Sequence, residues 1–397
     1  MINRFKTVLM LALGLLAFCS CAKDEDESSR SIQEKILNSY IKVNYPNATK
    51  LPSGLTILEE KEGPGTTALK DDMVCYVHYN TYSLAGTCQS TTDSALARHL
   101  GTYDASVYYG PTFFIIGTGQ TAKGLEEMFK RIKKGGYIRA IVPPWLTSYS
   151  TSYSGSTSST QESSVNVIYE VTMGDIISDL EKFQKDSLES YSNKYFGGLD
   201  STAYGYYFKN YTHPKGLADA DTIAASTNVN VWYIGRLLDG YVFDTNIEDT
   251  AKKYGIYSTD DTYTALSVEV EAKYTDMSTS TSSSSSSSDG SVVSGFARAI
   301  KSMTILDHAT TFFSSSYGYG STSTVSSGKG VPEYSMLRFD IWMADTDDDT
   351  YPPTVAKSTS SSSSASGVSS KSSALGAQRS TAGKGKTHQI PFFLKRR

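Results

Sequence analysis

The sequence lacks the motifs and the charge balance that are typical of most classes of enzyme and of nucleic-acid-binding proteins. Its 397 residues carry a net charge of −4, and 20% of them are charged, so no polyanionic partner such as a nucleic acid is implied. The five histidines are scattered, and neither a Ser-His-Asp arrangement nor a carboxylate pair can be placed. We therefore expect no metal and no cofactor. The length allows two or three domains.

Nucleotide and calcium motifs are also incomplete. Gly117-Thr118-Gly119 followed by Gly124 lacks the strand–helix–strand setting and the later acid of a dinucleotide fingerprint. Gly385-Lys386-Thr387 has Ser380 where a phosphate loop needs glycine, and no strand precedes it. The acidic run Asp345–Asp349 has no central glycine and no distal glutamate, so a solvated linker fits better than a calcium loop.

Cysteine is scarce, with four residues, two of them within the first 21 positions. The other two, Cys75 and Cys88, have neither zinc-type spacing nor a nearby histidine pair. A disulfide between them would need an oxidising compartment. We predict a β-hairpin in this part of the chain, and the positions of Cys75 and Cys88 in it do not face each other. This favours two free or partly buried thiols over a disulfide.

The N-terminus has the pattern of a secretory signal. A basic start precedes the apolar run Val8–Ala17, which has the length of a signal core and is too short to span a membrane. Ser20 followed by Cys21 resembles a bacterial lipobox, which implies a signal peptide of residues 1–20 and acyl chains, palmitate among them, on Cys21. The alternative is ordinary signal-peptidase cleavage beside a fortuitous cysteine.

An acidic run, Asp24–Glu27, follows the predicted lipidation site within a tether of residues 21–30. Such a run resembles the surface-export signal of Bacteroidota lipoproteins, and the alternative is a plain solvated tether. Both alternatives predict a protein held in the bacterial cell envelope through its lipid anchor, at the outer membrane, with export extending this to the cell surface.

The stretch from Asn228 to Asn246 carries the most specific pattern. Apolar residues alternate before Asp239-Gly240, and Tyr241-Val242-Phe243 and Asp244 follow. Asp-Gly between two strand-like runs is a strong hairpin signal, because both residues tolerate positive φ. The pattern V-x-Y-x-G-x-L-x-D-G-x-x-F-D resembles the FKBP-type peptidyl-prolyl cis-trans isomerases (rotamases).

Later motifs come in the order of that family. Val292 to Phe296 resembles V-I-x-G-W at the start of the central helix, with phenylalanine replacing the tryptophan of the pocket floor. Ser314 to Gly320 resembles the loop ending Y-x-Y-G. The resemblance implies a proline pocket in which Tyr319 donates to a carbonyl. The implied catalytic residues are Tyr233, Phe243, Asp244 and Tyr319, and the implied binding residues are Val292, Val293, Phe296 and Phe339.

A weaker copy of this layout lies earlier in the chain. Helix, strand and hairpin recur about 150 residues apart, which indicates a duplication. We predict an α+β fold of two FKBP-like domains, each an antiparallel sheet curled around a short central helix and preceded by a linker helix. The predicted ranges are 31–175 for a degenerate first domain, 176–345 for the second with a serine-rich insert at 278–289, and 346–397 for a disordered tail.

The first copy keeps the framework and departs from the site. Tyr79 to Gly86 is the same seven steps as Tyr233 to Gly240, but Gln89 and Ser90 stand where Phe243 and Asp244 would be. Leu125 occupies the pocket-floor position. We therefore expect the first domain to have lost the pocket.

Two functions fit these patterns. The first is an envelope-anchored peptidyl-prolyl isomerase or folding helper that acts on proline-containing polypeptides, mainly through the second domain. The alternative is a non-catalytic surface lipoprotein that uses FKBP-like domains to bind peptides or other ligands. The sequence leaves the choice open, and either is consistent with a monomer.

Overall fold

The computed structural model describes most of the chain between residues 28 and 344. The described ranges are 28–153, 156–161, 163–212, 223–224, 226–271, 278–279, 290–325, 329–344 and 351. The predicted signal peptide, Cys21 and the following acidic run, most of the serine-rich insert and nearly all of the tail lie outside them. Among the described residues, no helix has the length and apolar content needed to cross a bilayer.

The chain forms two compact units. The first unit takes in residues up to 91 and 114–176, and the second takes in residues 92–113 and those from 177 onward. The junction at 176 lies next to the predicted domain boundary. Residues 92–113 fold with the second unit, although they interrupt the first copy in the sequence.

The chain up to residue 177 has three α-helices among its described residues: α1 (Ser29–Asn44), α2 (Ser94–His99, in the segment 92–113) and α3 (Lys123–Phe129). Its strands are β1 (Thr49–Lys50), β2 (Thr56–Lys61), β3 (Val74–Ser83), β4 (Cys88–Thr91), β5 (Thr112–Ile115), β6 (Tyr137–Val142), β7 (Ser148–Tyr153), β8 (Ser156–Gln161) and β9 (Val167–Ile177). The sheet order is β1-β2-β6-β9-β3-β4 with β5 beside β3, and β7 and β8 pair separately.

The core of the first unit lies between α3 and one face of this sheet. Leu125, Met128 and Phe129 of α3 pack against strand residues that include Val77 and Val171. Because side chains alternate along a strand, Ile141 points to the other face, where it packs with Leu37 of α1. Each face is thus covered by one helix.

The second unit repeats this plan. Its further helices are α4 (Leu180–Phe196), α5 (Glu248–Tyr254) and α6 (Ser294–Lys301). Its strands are β10 (Tyr206–Thr212), β11 (Thr227–Leu237), β12 (Val242–Thr245), β13 (Leu266–Val270), β14 (Ser278–Thr279), β15 (Gly290–Ser291), β16 (His308–Phe313) and β17 (Leu337–Ala344). The sheet order is β10-β16-β17-β11-β13-β14-β15 with β12 beside β11. The predicted α+β class with two antiparallel sheets is confirmed.

Both long helices begin after a polar N-cap residue. The N-cap of α1 is Ser28, whose side chain accepts from the Ser31 N–H. The N-cap of α4 is Asp179, which accepts from the Lys182 N–H. Serine and aspartate cap about equally well, because either side chain can satisfy a free N–H of the first turn.

The predicted hairpin of the second unit is confirmed as β11 and β12. The Gly240 N–H donates to the Leu237 carbonyl at 3.0 Å, and Gly240 has a φ of +97°. Asp239 takes no positive φ; its carboxylate instead accepts from the Tyr241 N–H at 2.9 Å. A single left-handed residue therefore closes the turn.

The two cysteines within the described residues, Cys75 and Cys88, are free thiols. Cys75 lies near the start of β3 in the core, whereas Cys88 pairs with Tyr82 near the end of that strand. Burial raises the pKa of the Cys75 thiol to about 12, so it is protonated and unreactive near neutral pH.

Candidate functional site

Four aromatic side chains of the second unit converge over α6. Phe339 is the hub, with ring centroids 5.0 Å from Phe296 and 5.7 Å from Phe243, and interplanar angles of 67° and 80°. Tyr233 lies 5.7 Å from Phe296 at 79°. These edge-to-face arrangements are favourable for ring quadrupoles. The structure thus brings together the four rings that the sequence placed in the pocket.

Neighbouring aliphatic residues complete the cluster. Val292 and Val293 precede α6 and are buried in the same core. Two further wall candidates lie on β13: Val268 is fully buried in this core, and Leu266 packs against it partly exposed. The cluster therefore joins β11, β12, β13, β17 and the start of α6.

Two glycines allow the rings to approach the backbone. A Cβ at Gly235 would lie 2.5 Å from the Phe243 ring and 3.0 Å from that of Phe339. A Cβ at Gly295 would lie 2.5 Å from Phe313. Distances under 3.0 Å cannot be accommodated in a close-packed interior without movement, so both positions require glycine for this ring arrangement.

Asp244 is the ionisable group of the cluster. The Tyr233 hydroxyl donates to Asp244 Oδ2 at 2.7 Å. Burial raises the Asp244 pKa to about 7, although the hydrogen bonds from Tyr233 and the Thr245 backbone act to lower it. The pKa of Tyr233 is raised well above its usual value, first by burial and then by Asp244. Tyr233 consequently remains a hydroxyl donor, and Asp244 titrates near neutral pH.

Tyr319 lies in the loop between β16 and β17. Its side chain packs against the aromatic core, and its pKa is raised well above the usual value by burial and by the nearby Asp244. It therefore stays protonated and able to donate across the physiological range. Tyr319 and Asp244 interact electrostatically although 75 residues separate them in the sequence.

Sequence reasoning missed a second layer of aromatic rings behind the cluster. Phe313 lies 6.0 Å from Phe339, and Tyr206 stacks on Phe313 at 5.8 Å and 11°. The Tyr206 hydroxyl donates to the Gly295 carbonyl at 3.2 Å. The signal was present in the alternation of Tyr206 and Phe208 along β10 and in Phe312-Phe313. This layer fixes the start of α6 beneath Phe296.

The first unit has a cavity at the corresponding place. Its volume is about 210 Å³, and its lining is uncharged: Tyr79, Thr81, Ser90, Phe114, Leu125, Phe129, Tyr169 and Val171. The expectation that the first copy has lost its pocket was wrong with respect to the cavity itself, which is present. Leu125 is smaller than an aromatic residue, and Tyr169 was not recognised as an inward-facing ring.

The ladder registers relate this cavity to the second unit. Ser90 pairs with Thr81 next to a register shift, as Asp244 pairs with Gly235 next to a register shift. Leu125 is the third residue of α3, as Phe296 is the third residue of α6. The first unit thus keeps the shape and has a hydroxyl in place of the acid.

Comparison with solved structures gives FKBP-type proteins. A structure of the three FKBP domains of wheat FKBP73 matches with 17% identity over 74% of this chain and 94% of that chain, at a TM-score of 0.24. FkpA from Escherichia coli matches with 17% identity over 44% of this chain and 72% of its own, at a TM-score of 0.26.

A peptidyl-prolyl cis-trans isomerase from Pseudomonas syringae pv. tomato matches with 11% identity over 38% of this chain and 95% of its own, at a TM-score of 0.25. No family model and no curated protein sequence matches. The first of these structures consists of FKBP domains, the family that the motifs resemble. At such identities and TM-scores, the likeness assigns neither an activity nor site residues to this chain.

Proposed function

We propose that the protein is an FKBP-like peptidyl-prolyl isomerase or folding helper that acts through the second unit. The observation that supports this most is the Tyr233–Asp244 hydrogen bond beside a cluster of four rings, with Tyr319 coupled to the same carboxyl group. The substrate class is a polypeptide with an accessible proline.

The reaction needs no nucleophile and no metal. Rotation about an X-Pro bond is opposed by amide conjugation, with a barrier of roughly 20 kcal/mol. The twisted amide is less polar than the planar one, so an apolar site lined by Phe243, Phe296 and Phe339 favours it. A fixed donor on the carbonyl holds one end of the amide while the other turns, which is electrostatic preorganisation.

Each polar residue has a distinct part in this mechanism. Tyr319 donates to the carbonyl that precedes the proline, and its raised pKa keeps the proton on the oxygen. Asp244 accepts from Tyr233 and so fixes that ring as a wall of the site. In this proposal Val292 and Val293, which are buried in the same core, border the bound proline ring, and the Val293 N–H is a further donor to a ligand carbonyl.

The test is a proline-isomerisation assay on the full chain with Tyr319→Phe, and with Tyr317→Phe as the matched control from the same turn. Losing one well-placed donor should lower kcat/KM about tenfold, equivalent to about 1.4 kcal/mol, whereas the control should stay within twofold. Equal losses in both variants would show that the turn, and not the Tyr319 hydroxyl, matters. A folded wild-type protein without catalysis would sink the isomerase proposal.

A second function is favoured by the cavity of the first unit. It has the volume for a small ring, and its wall includes Tyr79, Tyr169 and Ser90 but no acid. We infer that this unit binds an uncharged apolar side chain or ring of an extended polypeptide without catalysing its isomerisation. The non-catalytic alternative thus applies to the first unit beside a catalytic second unit.

The envelope location is a proposal that rests on the sequence pattern at Ser20-Cys21 alone. We propose acylation of Cys21 and anchoring at the outer membrane. Labelling of cells with a fatty-acid analogue should mark the wild-type protein and not Cys21→Ser. Equal labelling of both would exclude Cys21 as the acceptor.

A further inference from the structure

The loop that carries Tyr319 is attached at both ends to a single side chain outside the FKBP-like motifs. This pocket loop, defined here as residues 314–325 and 329–334, lies between β16 and β17. We propose that Gln184, on helix α4, is a positioning residue for the pocket of the second unit, because it fixes the pocket loop and through it Tyr319. The inference rests on the proposed function of that unit.

Gln184 makes three hydrogen bonds to the pocket loop. The Ser315 N–H and the Ser315 hydroxyl donate to Gln184 Oε1 at 3.0 Å and 3.1 Å. Gln184 Nε2 donates to the Tyr334 carbonyl at 2.8 Å. A side-chain amide offers an acceptor and a donor on one short planar group, so one side chain can hold the first and last turns of the loop together.

Because the hydrogen bonds of Gln184 are buried, their loss cannot be compensated by water. Gln184 is 3% exposed and Ser315 is 6% exposed. A buried N–H or carbonyl that loses its partner cannot turn to water, so the loop would have to move to satisfy it. No sequence pattern pointed to this role, since Gln184 stands between Phe183 and Lys185 on a helix whose packing partner could not be predicted.

The path from Gln184 to Tyr319 is short. The Gly320 N–H donates to the Ser315 carbonyl at 2.9 Å, and the Tyr334 N–H donates to the Gly320 carbonyl at 2.8 Å. Gly320 follows Tyr319 directly and has a φ of +58°. Both residues held by Gln184 therefore bind the neighbour of Tyr319, and a shift at either one is passed on to the donor.

A second set of contacts holds the far part of the pocket loop. Lys329 Nζ lies 3.2 Å from Asp104 Oδ2, and the Tyr334 ring lies 4.6 Å from that of Phe113. Both partners belong to the segment 92–113 of the second unit. Since this set does not involve Ser315, removal of Gln184 should free the Tyr319 end of the loop more than the Lys329 end.

The experiment uses the full chain with Gln184→Met, which keeps the side-chain length and removes all three hydrogen bonds. The matched control is Ser192→Ala, because Ser192 is 1% exposed on the same helix and its hydroxyl donates to the Leu199 carbonyl at 2.8 Å, away from the loop. The readouts are kcat and KM for proline isomerisation and amide hydrogen exchange within the pocket loop.

We expect Gln184→Met to lower kcat at least tenfold with little change in KM, since donor placement governs the twisted state more than initial binding. Exchange at Ser315 and Gly320 should accelerate about tenfold. Ser192→Ala should leave kcat and loop exchange within twofold. Unchanged kcat and loop exchange in a folded Gln184→Met protein would overturn the proposal, as would equal losses in Ser192→Ala.

Two further outcomes are decided by a second variant and by the exchange arm. If Gln184→Met does not fold, Gln184→Glu takes its place, because a carboxylate keeps the acceptor for Ser315 and loses the donor to the Tyr334 carbonyl. Faster hydrogen exchange at the Tyr334 N–H in Gln184→Glu would support the proposal. Unchanged exchange there would overturn it. If the folded wild type shows no isomerisation, the proposed function fails by itself. Loop exchange then still decides whether Gln184 positions the loop.

Discussion

At the residue scale, Asp244 links the site to the pH dependence of stability. Its pKa rises from the ordinary value of about 3.9 to about 7 in the folded protein. The folded state therefore binds the proton more tightly than the unfolded state, and stability falls as pH rises between about 4 and about 7. Above pH 7 both states are ionised, and this contribution no longer changes.

Asp244→Asn should remove that part of the pH dependence. Between pH 4 and 7 the free energy of unfolding of the wild type should fall relative to that of the variant, by up to about 1.4 kcal/mol per pH unit. Chemical denaturation of both proteins at several pH values measures the difference. Parallel curves across this range would mean that Asp244 titrates at its ordinary pKa in the folded protein.

Gly235 makes a second residue-level prediction. Gly235→Ala should cost about 1–3 kcal/mol of stability, because the methyl group overlaps Phe243 and Phe339, and it should lower isomerase activity by moving those rings. Gly174→Ala is the matched control: its Cβ would lie 2.7 Å from the Tyr76 carbonyl oxygen in the first unit. The control should lose stability and keep activity; a loss of activity in both would indicate a general effect of destabilisation.

At the element scale, a charged network holds the strands of the second unit from the face opposite the aromatic cluster. Asp340 is 6% exposed and accepts from Thr310 at 2.5 Å and from Arg338 at 2.7 Å. Arg236 lies 3.3 Å from its other oxygen. The two arginines reach on to helices α4 and α5 through Tyr191 and Tyr254, so one carboxylate ties three strands to two helices.

Removing that carboxylate leaves two partly buried arginines without their partner. Asp340→Ala should therefore destabilise the second unit by about 3–5 kcal/mol. The control is Asp186→Ala, which breaks the exposed Lys182–Asp186 pair on α4 and should cost less than about 1 kcal/mol. Urea denaturation monitored by tryptophan fluorescence compares them, and equal midpoints would contradict a buried network.

Local patterns predicted most elements of the fold, and long-range packing decided the rest. The hairpin at Gly240 and helix α6 follow from alternation and turn chemistry. The place of α4 did not follow, because the contacts of Leu188 with Tyr207 and Phe312 join segments that no local pattern relates. The association of residues 92–113 with the second unit was not predicted for the same reason. Within the site, the four rings were predictable from motif order, whereas Gln184 and the cavity beside Tyr169 depend on packing.

At the scale of the whole molecule, one framework occurs twice with different chemistry. Equivalent ladder positions carry Ser90 in the first unit and Asp244 in the second, and equivalent helix positions carry Leu125 and Phe296. The first unit has an uncharged cavity, and the second has packed rings with a titrating acid. This division predicts a binding function that can be removed without loss of catalysis.

Val171→Phe tests the division, because Val171 lines the first-unit cavity and is fully buried. A phenyl ring would occupy part of the 210 Å³ space, and because filling a cavity offsets the strain of a larger side chain, the variant should fold with stability near that of the wild type. Isothermal titration with an uncharged proline-containing peptide should give two sites for the wild type and one for Val171→Phe. Thr81→Val, which keeps the shape of the wall, should retain both sites.

Isomerase activity of Val171→Phe should stay within twofold of the wild type, because the proposed function assigns the donor and the rings to the second unit. Conversely, Tyr319→Phe should lose activity and keep two binding sites, since one hydroxyl adds little to the burial of an apolar ring. A stoichiometry unaffected by Val171→Phe would show that the cavity takes no such peptide. A parallel loss of activity would show that the two units do not act separately.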